Sequence, residues 1–249
     1  DFEYDTRAEI AKYYKLAHEM EPFITDSVSY VNHNVDDGIP LLIEGANAAL
    51  LDIDFGTYPF VTSSNCSIGG ILTGLGIPPS KISEIYGVVK AYTTRVGEGP
   101  FPTEQLNDVG KLLQTEGFEF GSTTGRPRRC GWLDLFILKY THMLNGYSAI
   151  CLTKLDILSH FDEIKIGVGY KYRGAPLSYY PADLELLKEV EVEYKVVPGW
   201  KGVDISKCKT FEELPANAQK YVLFIEEFLK VKVSFIGVGA ARDAIIVRN

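Results

Sequence analysis

The stretch of residues 132–156 constrains the fold more than any other part of the sequence. Residues 132–145 are strongly apolar and predict a buried helix, and Gly146 is the kind of residue that commonly ends one. The apolar run at residues 147–152 follows at once and predicts a buried strand. A helix that leads directly into a buried strand is typical of an α/β fold, in which strands and helices alternate along the chain.

The rest of the chain continues this alternation. Further helices are predicted at residues 5–33, with an interruption at Pro22, at residues 102–116 and at residues 215–230. Further strands are predicted at residues 40–44, 84–93, 163–172, 190–197 and 231–236. We therefore predict an α/β fold with a mostly parallel central sheet flanked by helices and some antiparallel additions. Ligands of such sheets bind beyond the carboxyl ends of the strands, so the loops at residues 45–47, 153–156 and 237–239 are predicted to share one face.

The composition argues against several classes of protein. The 249 residues suit one globular domain or a large piece of one, and the net charge of −8 argues against a general nucleic-acid binder. No apolar run is long enough to span a bilayer, so no membrane partner is predicted. The chain begins with Asp1 rather than Met, as a processed or incomplete N-terminus would. Four widely spaced cysteines without a C-x-x-C pair predict free thiols in a reducing cytoplasm: Cys66, Cys130, Cys151 and Cys208.

The motif Thr153-Lys154-Leu155-Asp156 is a candidate guanine reader. A carboxylate at the end of a strand can accept from both N1–H and N2–H₂ of guanine, a pair of donors that adenine does not offer. The aliphatic stem of Lys154 could cover the flat face of the purine. The alternative is a strand that simply ends in a charged turn. No phosphate-binding loop of the G-x-x-x-x-G-K-[ST] type occurs anywhere in the sequence.

A second candidate site is the loop at residues 121–129, which packs hydroxyls, glycines and three arginines into nine residues. Hydroxyls, exposed backbone N–H groups and forked guanidinium groups bind carboxylate or phosphate oxygens, so the loop predicts anion binding. The alternative is a solvated basic loop. Two weaker candidates are the carboxylates Asp52 and Asp54, as metal ligands or turn caps, and residues 62–64, as a phosphate cradle. The four histidines are scattered and do not suggest a catalytic arrangement.

Taken jointly and in this order, seven segments resemble adenylosuccinate synthetase, and the resemblance covers essentially the whole chain. The segments are residues 44–47 (EGAN), 51–59 (LDIDFGTYP), 61–65 (VTSSN), 97–104 (GEGPFPTE), 123–132 (TTGRPRRCGW), 153–156 (TKLD) and 198–200 (PGW). The resemblance implies a partial form of that family's fold, which is related to P-loop NTPases. It also implies GTP-dependent ligation of L-aspartate to IMP through a 6-phosphoryl-IMP intermediate, with Mg²⁺, in a cytoplasmic homodimer. This is a step of purine nucleotide biosynthesis.

The resemblance also implies a role for individual residues. The residues implied for IMP are Asn47, Thr62 and Arg126. The residues implied for aspartate are Ser122, Thr123, Thr124, Gly125, Arg126 and Arg128. The residues implied for GTP are Arg128, Lys154, Leu155, Asp156, Gly237, Val238 and Gly239. Asn47 stands where the family has Gln or Asn, and Gly237 stands where some relatives have serine.

The family's catalytic groups have no counterpart in this sequence. Its glycine-rich phosphate loop, with the catalytic-base aspartate and a Mg²⁺ ligand, and its general-acid histidine are expected in an N-terminal segment outside the chain. Residues 1–249 are then expected to be the C-terminal portion of a single domain, with no separate second domain, and to be inactive alone. The alternative is a non-catalytic fragment that binds guanine nucleotide or IMP.

Overall fold

The computed structural model describes residues 2–122 and 125–248. The chain folds into two compact units. The first unit comprises residues 1–44 and 71–81, and the second comprises residues 45–70 and 82–249. In the described part of the chain, no helix combines the length and the apolar character needed to cross a membrane.

The first unit is helical, as predicted. Helix α1 (Thr6–Met20) begins at Asp5, whose side chain accepts hydrogen bonds from two backbone N–H groups of the first turn. A short 3₁₀ turn, Glu21–Phe23, contains Pro22 and separates α1 from helix α2 (Ser27–Asp36). Helix α3 (Ile68–Leu75) contains the boundary between the two units.

The prediction of a strand at residues 40–44 is wrong. These residues form no regular secondary structure, and Leu42 is 95% exposed. A strand needs a partner to accept its backbone hydrogen bonds, and no described strand pairs with this segment. The loop at residues 45–47 therefore does not follow a strand, and the prediction that it lies at a strand end is also wrong.

Beyond α3, the described residues of the second unit form ten strands and four α-helices. In chain order these are β1 (Tyr86–Lys90), β2 (Thr93–Arg95), α4 (Asp108–Glu116), β3 (Arg129–Gly131), β4 (Leu133–Asp134), α5 (Leu135–Asn145), β5 (Ala149–Thr153), β6 (Glu163–Tyr172), β7 (Ala175–Pro176), α6 (Leu184–Lys188), β8 (Glu191–Pro198), α7 (Ala216–Leu229), β9 (Lys232–Gly237) and β10 (Ile245–Val247). Helix α4 begins six residues later than predicted, because Asn107 caps it with a hydrogen bond from the Val109 backbone N–H to Asn107 Oδ1.

The principal sheet has the order β1-β5-β9-β10. Strands β1, β5 and β9 are parallel, and β10 runs antiparallel to β9. A second sheet pairs β6 antiparallel with β7 and β8 and parallel with β4. The mostly parallel sheet with antiparallel additions is therefore confirmed.

The core lies against the central strand β5. Ile150 and Leu152 of this strand are fully buried, and they belong to the same buried cluster as Leu135 of α5 and Val222 and Ile225 of α7. Burying such aliphatic side chains stabilises the fold by about 1.5–3 kcal/mol each. This packing fixes the point at which β5 ends, and with it the position of the motif that follows. The four cysteines are free thiols, as predicted.

Candidate functional site at the carboxyl edge of the sheet

The carboxyl ends of β5 and β9 lie side by side. The two strands are parallel neighbours, with Leu152 paired to Ile236, and they end at Thr153 and Gly237. A Cβ placed on Gly237 would lie 3.3 Å from the Cα of Thr153, so the two backbones approach closely here. The loops at residues 153–156 and 237–239 therefore share one face, as predicted.

The backbone turns sharply between β5 and the next element. Lys154 has a φ of 61°, in the left-handed region, and a 3₁₀ helix, Leu155–His160, begins directly after it. The side chain of Leu155 is fully buried, and so is that of Val238 on the neighbouring loop. These two residues anchor the loops to the core, and only their backbones are available to a ligand.

Asp156 holds an acceptor that the fold leaves without a donor. Its Oδ1 atom is buried and has no hydrogen-bond partner among the described residues. Burial raises the pKa of this carboxyl, although a hydrogen bond from the residue's own backbone N–H and the positive charges of Lys154 and His160 act in the opposite direction. Buried acceptors are nearly always paired in native proteins, so this atom marks a place for a donor that the described chain does not supply.

The described residues of the loop at residues 121–128 are joined by backbone hydrogen bonds. The Gly121 backbone N–H donates to the Arg126 carbonyl at 2.8 Å, and the Gly125 N–H donates to the Gly121 carbonyl at 2.8 Å. Gly125 has a φ of 65°, which favours glycine. Ser122 and Arg126 are exposed, so their polar atoms face solvent. Thr123 and Thr124 of the predicted aspartate site lie outside the described residues.

The base of this loop is joined to the sheet edge through Glu119, a residue that the sequence did not single out. Glu119 is fully buried, and its carboxylate accepts hydrogen bonds from Lys90 Nζ at 2.8 Å, from Tyr92 Oη at 2.6 Å and from Arg128 at 2.9 Å. Lys154 Nζ lies 3.1 Å from the same carboxylate. Arg128 and Lys154, predicted on separate motifs, are therefore brought to one group.

The segment that contains Asn47 and Thr62 forms a separate compact loop. Asn47 is exposed with a φ of 67°, and a 3₁₀ turn, Ala49–Leu51, follows it. The Thr62 backbone N–H donates to the Leu51 carbonyl at 2.8 Å, which ties the two predicted IMP residues to the same turn.

Asp52 organises this loop from within. It is fully buried, and its carboxylate accepts four backbone N–H groups, those of Asp54, Phe55, Cys66 and Ser67, at 2.6–3.2 Å. Burial acts to raise the pKa of Asp52, but these hydrogen bonds outweigh it and lower the pKa. Asp54 accepts from Asn65 at 2.7 Å. Of the two readings that the sequence left open, the structure favours turn capping over metal ligation.

Metal-ligating side chains do not converge within the described ranges. In residues 2–122 and 125–248, no group of three His, Cys, Asp or Glu side chains is arranged to hold a metal ion. The nearest sequence candidates, Asp52 and Asp54, are engaged by the protein donors described above. Neither carboxylate is therefore assigned to a metal ion.

Comparison with known proteins identifies close relatives. A family model described as adenylosuccinate synthetase matches residues 1–246. The adenylosuccinate synthetase of Saccharomyces cerevisiae (strain ATCC 204508 / S288c) is 58% identical over 246 residues, which cover 99% of this chain and 57% of the relative. That of Coprinopsis cinerea is 59% identical over 248 residues, which cover 100% of this chain and 58% of the relative.

A solved structure confirms the fold. The fully ligated adenylosuccinate synthetase from Plasmodium falciparum matches with a TM-score of 0.95 at 48% identity. The match covers 99% of this chain and 59% of that chain. The chain thus spans less than three fifths of the length of these relatives, from 57% to 59%.

Proposed function

The chain belongs to the adenylosuccinate synthetase family, and on that premise we propose that it carries substrate-binding groups of an enzyme that joins L-aspartate to IMP with GTP. The products are adenylosuccinate, GDP and phosphate, and the reaction is a step of purine nucleotide biosynthesis. GTP phosphorylates the 6-oxygen of IMP, and the amino group of aspartate then displaces that phosphate. The chemistry turns a poor leaving group into a good one, so much of the catalysis consists of positioning and charge neutralisation.

One observation carries the proposal: the unpartnered Oδ1 of Asp156 at the carboxyl edge of the sheet. Guanine presents N1–H and N2–H₂ on one edge, and a carboxylate accepts both in a charge-assisted pair. Gly237, Val238 and Gly239 lie on the neighbouring loop, and the absence of a side chain on Gly237 lets the backbones of the two loops approach closely. We assign the guanine of GTP to this corner, with Lys154 and Leu155 at its turn.

The two other substrates are assigned to two other loops of the chain. Ser122, Gly125 and Arg126 are exposed, and we assign them to the carboxylates of aspartate. Thr123 and Thr124 are assigned to the same carboxylates from the sequence alone. Asn47 is assigned to the base of IMP and Thr62 to its 5′-phosphate. Arg126 serves both aspartate and the IMP ribose, and Arg128 serves both aspartate and GTP.

Mg²⁺, the catalytic base and the catalytic acid are proposed for the complete enzyme, and none of these roles is assigned to a residue of this chain. The roles assigned to the described residues include no metal ligand. The role of residues 1–249 is to bind and orient the three substrates. We propose further that the chain forms part of a single domain of a cytoplasmic homodimer.

The experiment that tests this proposal measures adenylosuccinate formation by the full-length gene product that contains this chain. Turnover is expected only when GTP, IMP and L-aspartate are all present, and ATP is not expected to replace GTP. The isolated chain of residues 1–249 is expected to give no product, because it carries none of the family's catalytic groups. No turnover by the full-length product would overturn the proposed activity. Turnover by the isolated chain would overturn the view that it only binds substrates.

A further inference from the structure

The carboxylate of Glu119 stands between two segments of the site. Its Oε1 accepts from Tyr92 Oη at 2.6 Å and lies 3.1 Å from Lys154 Nζ. Its Oε2 accepts from Lys90 Nζ at 2.8 Å and from Arg128 at 2.9 Å. One oxygen therefore faces the turn that follows β5, and the other faces the base of the loop at residues 121–128.

This carboxylate stays ionised in the folded protein. Burial acts to raise the pKa of Glu119, but the hydrogen bonds from Lys90, Tyr92 and Arg128 outweigh it and lower the pKa to about 2. A fully buried carboxylate with four donors around it has no acceptor capacity left for a ligand. Glu119 is therefore not itself a substrate contact.

The cations around Glu119 differ from it in exposure. The side chains of Lys90, Arg128 and Lys154 are 27%, 30% and 34% exposed, whereas that of Glu119 is 0% exposed. Three cations around one carboxylate leave two positive charges uncompensated within this group. The buried carboxylate thus holds the three cations on their buried side, and their solvent-exposed side remains available to anionic substrates.

Two of these cations control the geometry of the predicted binding segments. Lys154 holds the left-handed backbone turn that precedes Asp156, and its ammonium group donates to the Gly117 carbonyl as well as facing Glu119. The Arg128 backbone N–H donates to the Glu119 carbonyl at 2.9 Å, which adds a second link between this residue and the loop. A substitution of Glu119 is therefore expected to alter the conformation of both residues 153–156 and the loop at residues 121–128.

We propose that Glu119 is a positioning residue that couples the guanine corner at residues 153–156 to the aspartate loop at residues 121–128. This inference rests on the proposed function, because it uses the substrate assignments made there. The coupling predicts that the two substrates on either side of Glu119 lose affinity together when its charge is removed.

The test is Glu119→Gln in the full-length gene product. Glutamine keeps the shape of the side chain but lacks the negative charge. Its amide N–H₂ group is a donor, so it cannot accept a hydrogen bond from the donors that surround Glu119. The KM values for GTP and for aspartate are both expected to rise about tenfold, with a smaller change in the KM for IMP and in kcat.

Glu226→Gln is the matched control. Glu226 is also a glutamate paired with an arginine, 2.6 Å from Arg248, but it is only partly buried, and it accepts from the Val233 backbone N–H at the opposite, amino end of β9. This control is expected to lower the melting temperature and to leave both KM values unchanged. A purely structural role of Glu119 would give the same pattern as this control.

Lys154→Met provides a second variant that keeps Glu119 in place. It removes one cation from the carboxylate, and the KM for aspartate is expected to rise although Lys154 lies on the guanine side. Wild-type KM values in Glu119→Gln, or a rise for only one of the two substrates, would overturn the coupling. A wild-type enzyme without turnover would instead overturn the proposed function itself.

Discussion

At the scale of single residues, a fully buried carboxylate and a half-buried one show how the surroundings set the role of a group. Glu119 is surrounded by donors, which lower its pKa to about 2, and it anchors other side chains. Asp156 has a buried oxygen without a donor, and burial raises its pKa. An unpaired buried acceptor destabilises a folded protein by about 1–3 kcal/mol. A ligand that donates a hydrogen bond to Asp156 would remove this destabilisation.

Arg126 gives a prediction at the same scale. Arg126→Leu is expected to raise the KM for aspartate by about 10- to 100-fold, because charge-assisted hydrogen bonds to the substrate carboxylate are lost. The KM for IMP should rise less, and that for GTP should hardly change. Steady-state kinetics of the full-length gene product measures all three.

Arg173→Leu is the control for that substitution, because Arg173 is also an exposed arginine next to a glycine, in the turn between β6 and β7. It is expected to leave the three KM values at their wild-type levels. An unchanged KM for aspartate in Arg126→Leu would place the aspartate site elsewhere.

Sequence reasoning could find a residue whose type and local pattern carry its role. Asp156 follows an apolar strand, and Arg126 lies among glycines and hydroxyls, so both stood out. Glu119 did not, because its role depends on partners that are 27 and 29 residues away in the sequence, at Tyr92 and Lys90. No local sequence pattern predicts such a hydrogen-bond network.

At the scale of elements, the segments with their own stop signals were predicted best. Helix α5 ends before Gly146, which has a φ of 63°, and strand β6 occupies residues 163–172 as predicted. The strand predicted at residues 40–44 failed, because a short apolar run does not reveal whether a partner strand exists. Elements that depend on distant pairing are those that the sequence leaves open.

The N-terminus of α5 is capped by an aspartate, Asp134, whose burial disfavours its charged form. Asp134 is 1% exposed, and it accepts hydrogen bonds from the backbone N–H groups of Phe136 and Ile137 and, at 2.5 Å, from Tyr170 Oη. Burial raises the pKa of Asp134 to about 6, although these hydrogen bonds act to lower it. The folded protein therefore binds this proton more tightly than the unfolded chain does.

This shift predicts a pH dependence of stability. The contribution is fully present below the unfolded pKa of 3.8 and is lost as the pH rises through the folded pKa of about 6. Asp134→Asn removes this titration but can still cap the helix. The free energy of unfolding of the wild type, relative to that of Asp134→Asn, is expected to fall by about 2 kcal/mol between pH 4 and pH 7.

Denaturant unfolding of the full-length gene product at several pH values measures this difference. Asp183→Asn is the control, since Asp183 is an exposed aspartate that caps helix α6 in the same way. A constant difference between wild type and Asp134→Asn across this pH range would show that Asp134 does not titrate differently on folding.

At the scale of the whole molecule, the parallel sheet brings two of the candidate motifs to one edge. The sequence predicted this gathering for residues 153–156 and 237–239, because strands β5 and β9 are parallel and their ends follow from the fold class. It did not predict the division of the chain into two units, because that depends on contacts far apart in the sequence. The family assignment and the TM-score of 0.95 confirm the predicted fold as a whole.

The central claim is that Asp156 reads guanine, and the most direct measurement compares GTP with ITP, which lacks the N2 amino group. In the full-length gene product, kcat/KM for GTP is expected to exceed that for ITP by roughly tenfold, because ITP cannot form one of the two hydrogen bonds. In Asp156→Asn the ratio should fall toward one, whereas the control Asp162→Asn, at an exposed aspartate, should keep it. A GTP/ITP ratio in Asp156→Asn equal to that of the wild type would contradict the account.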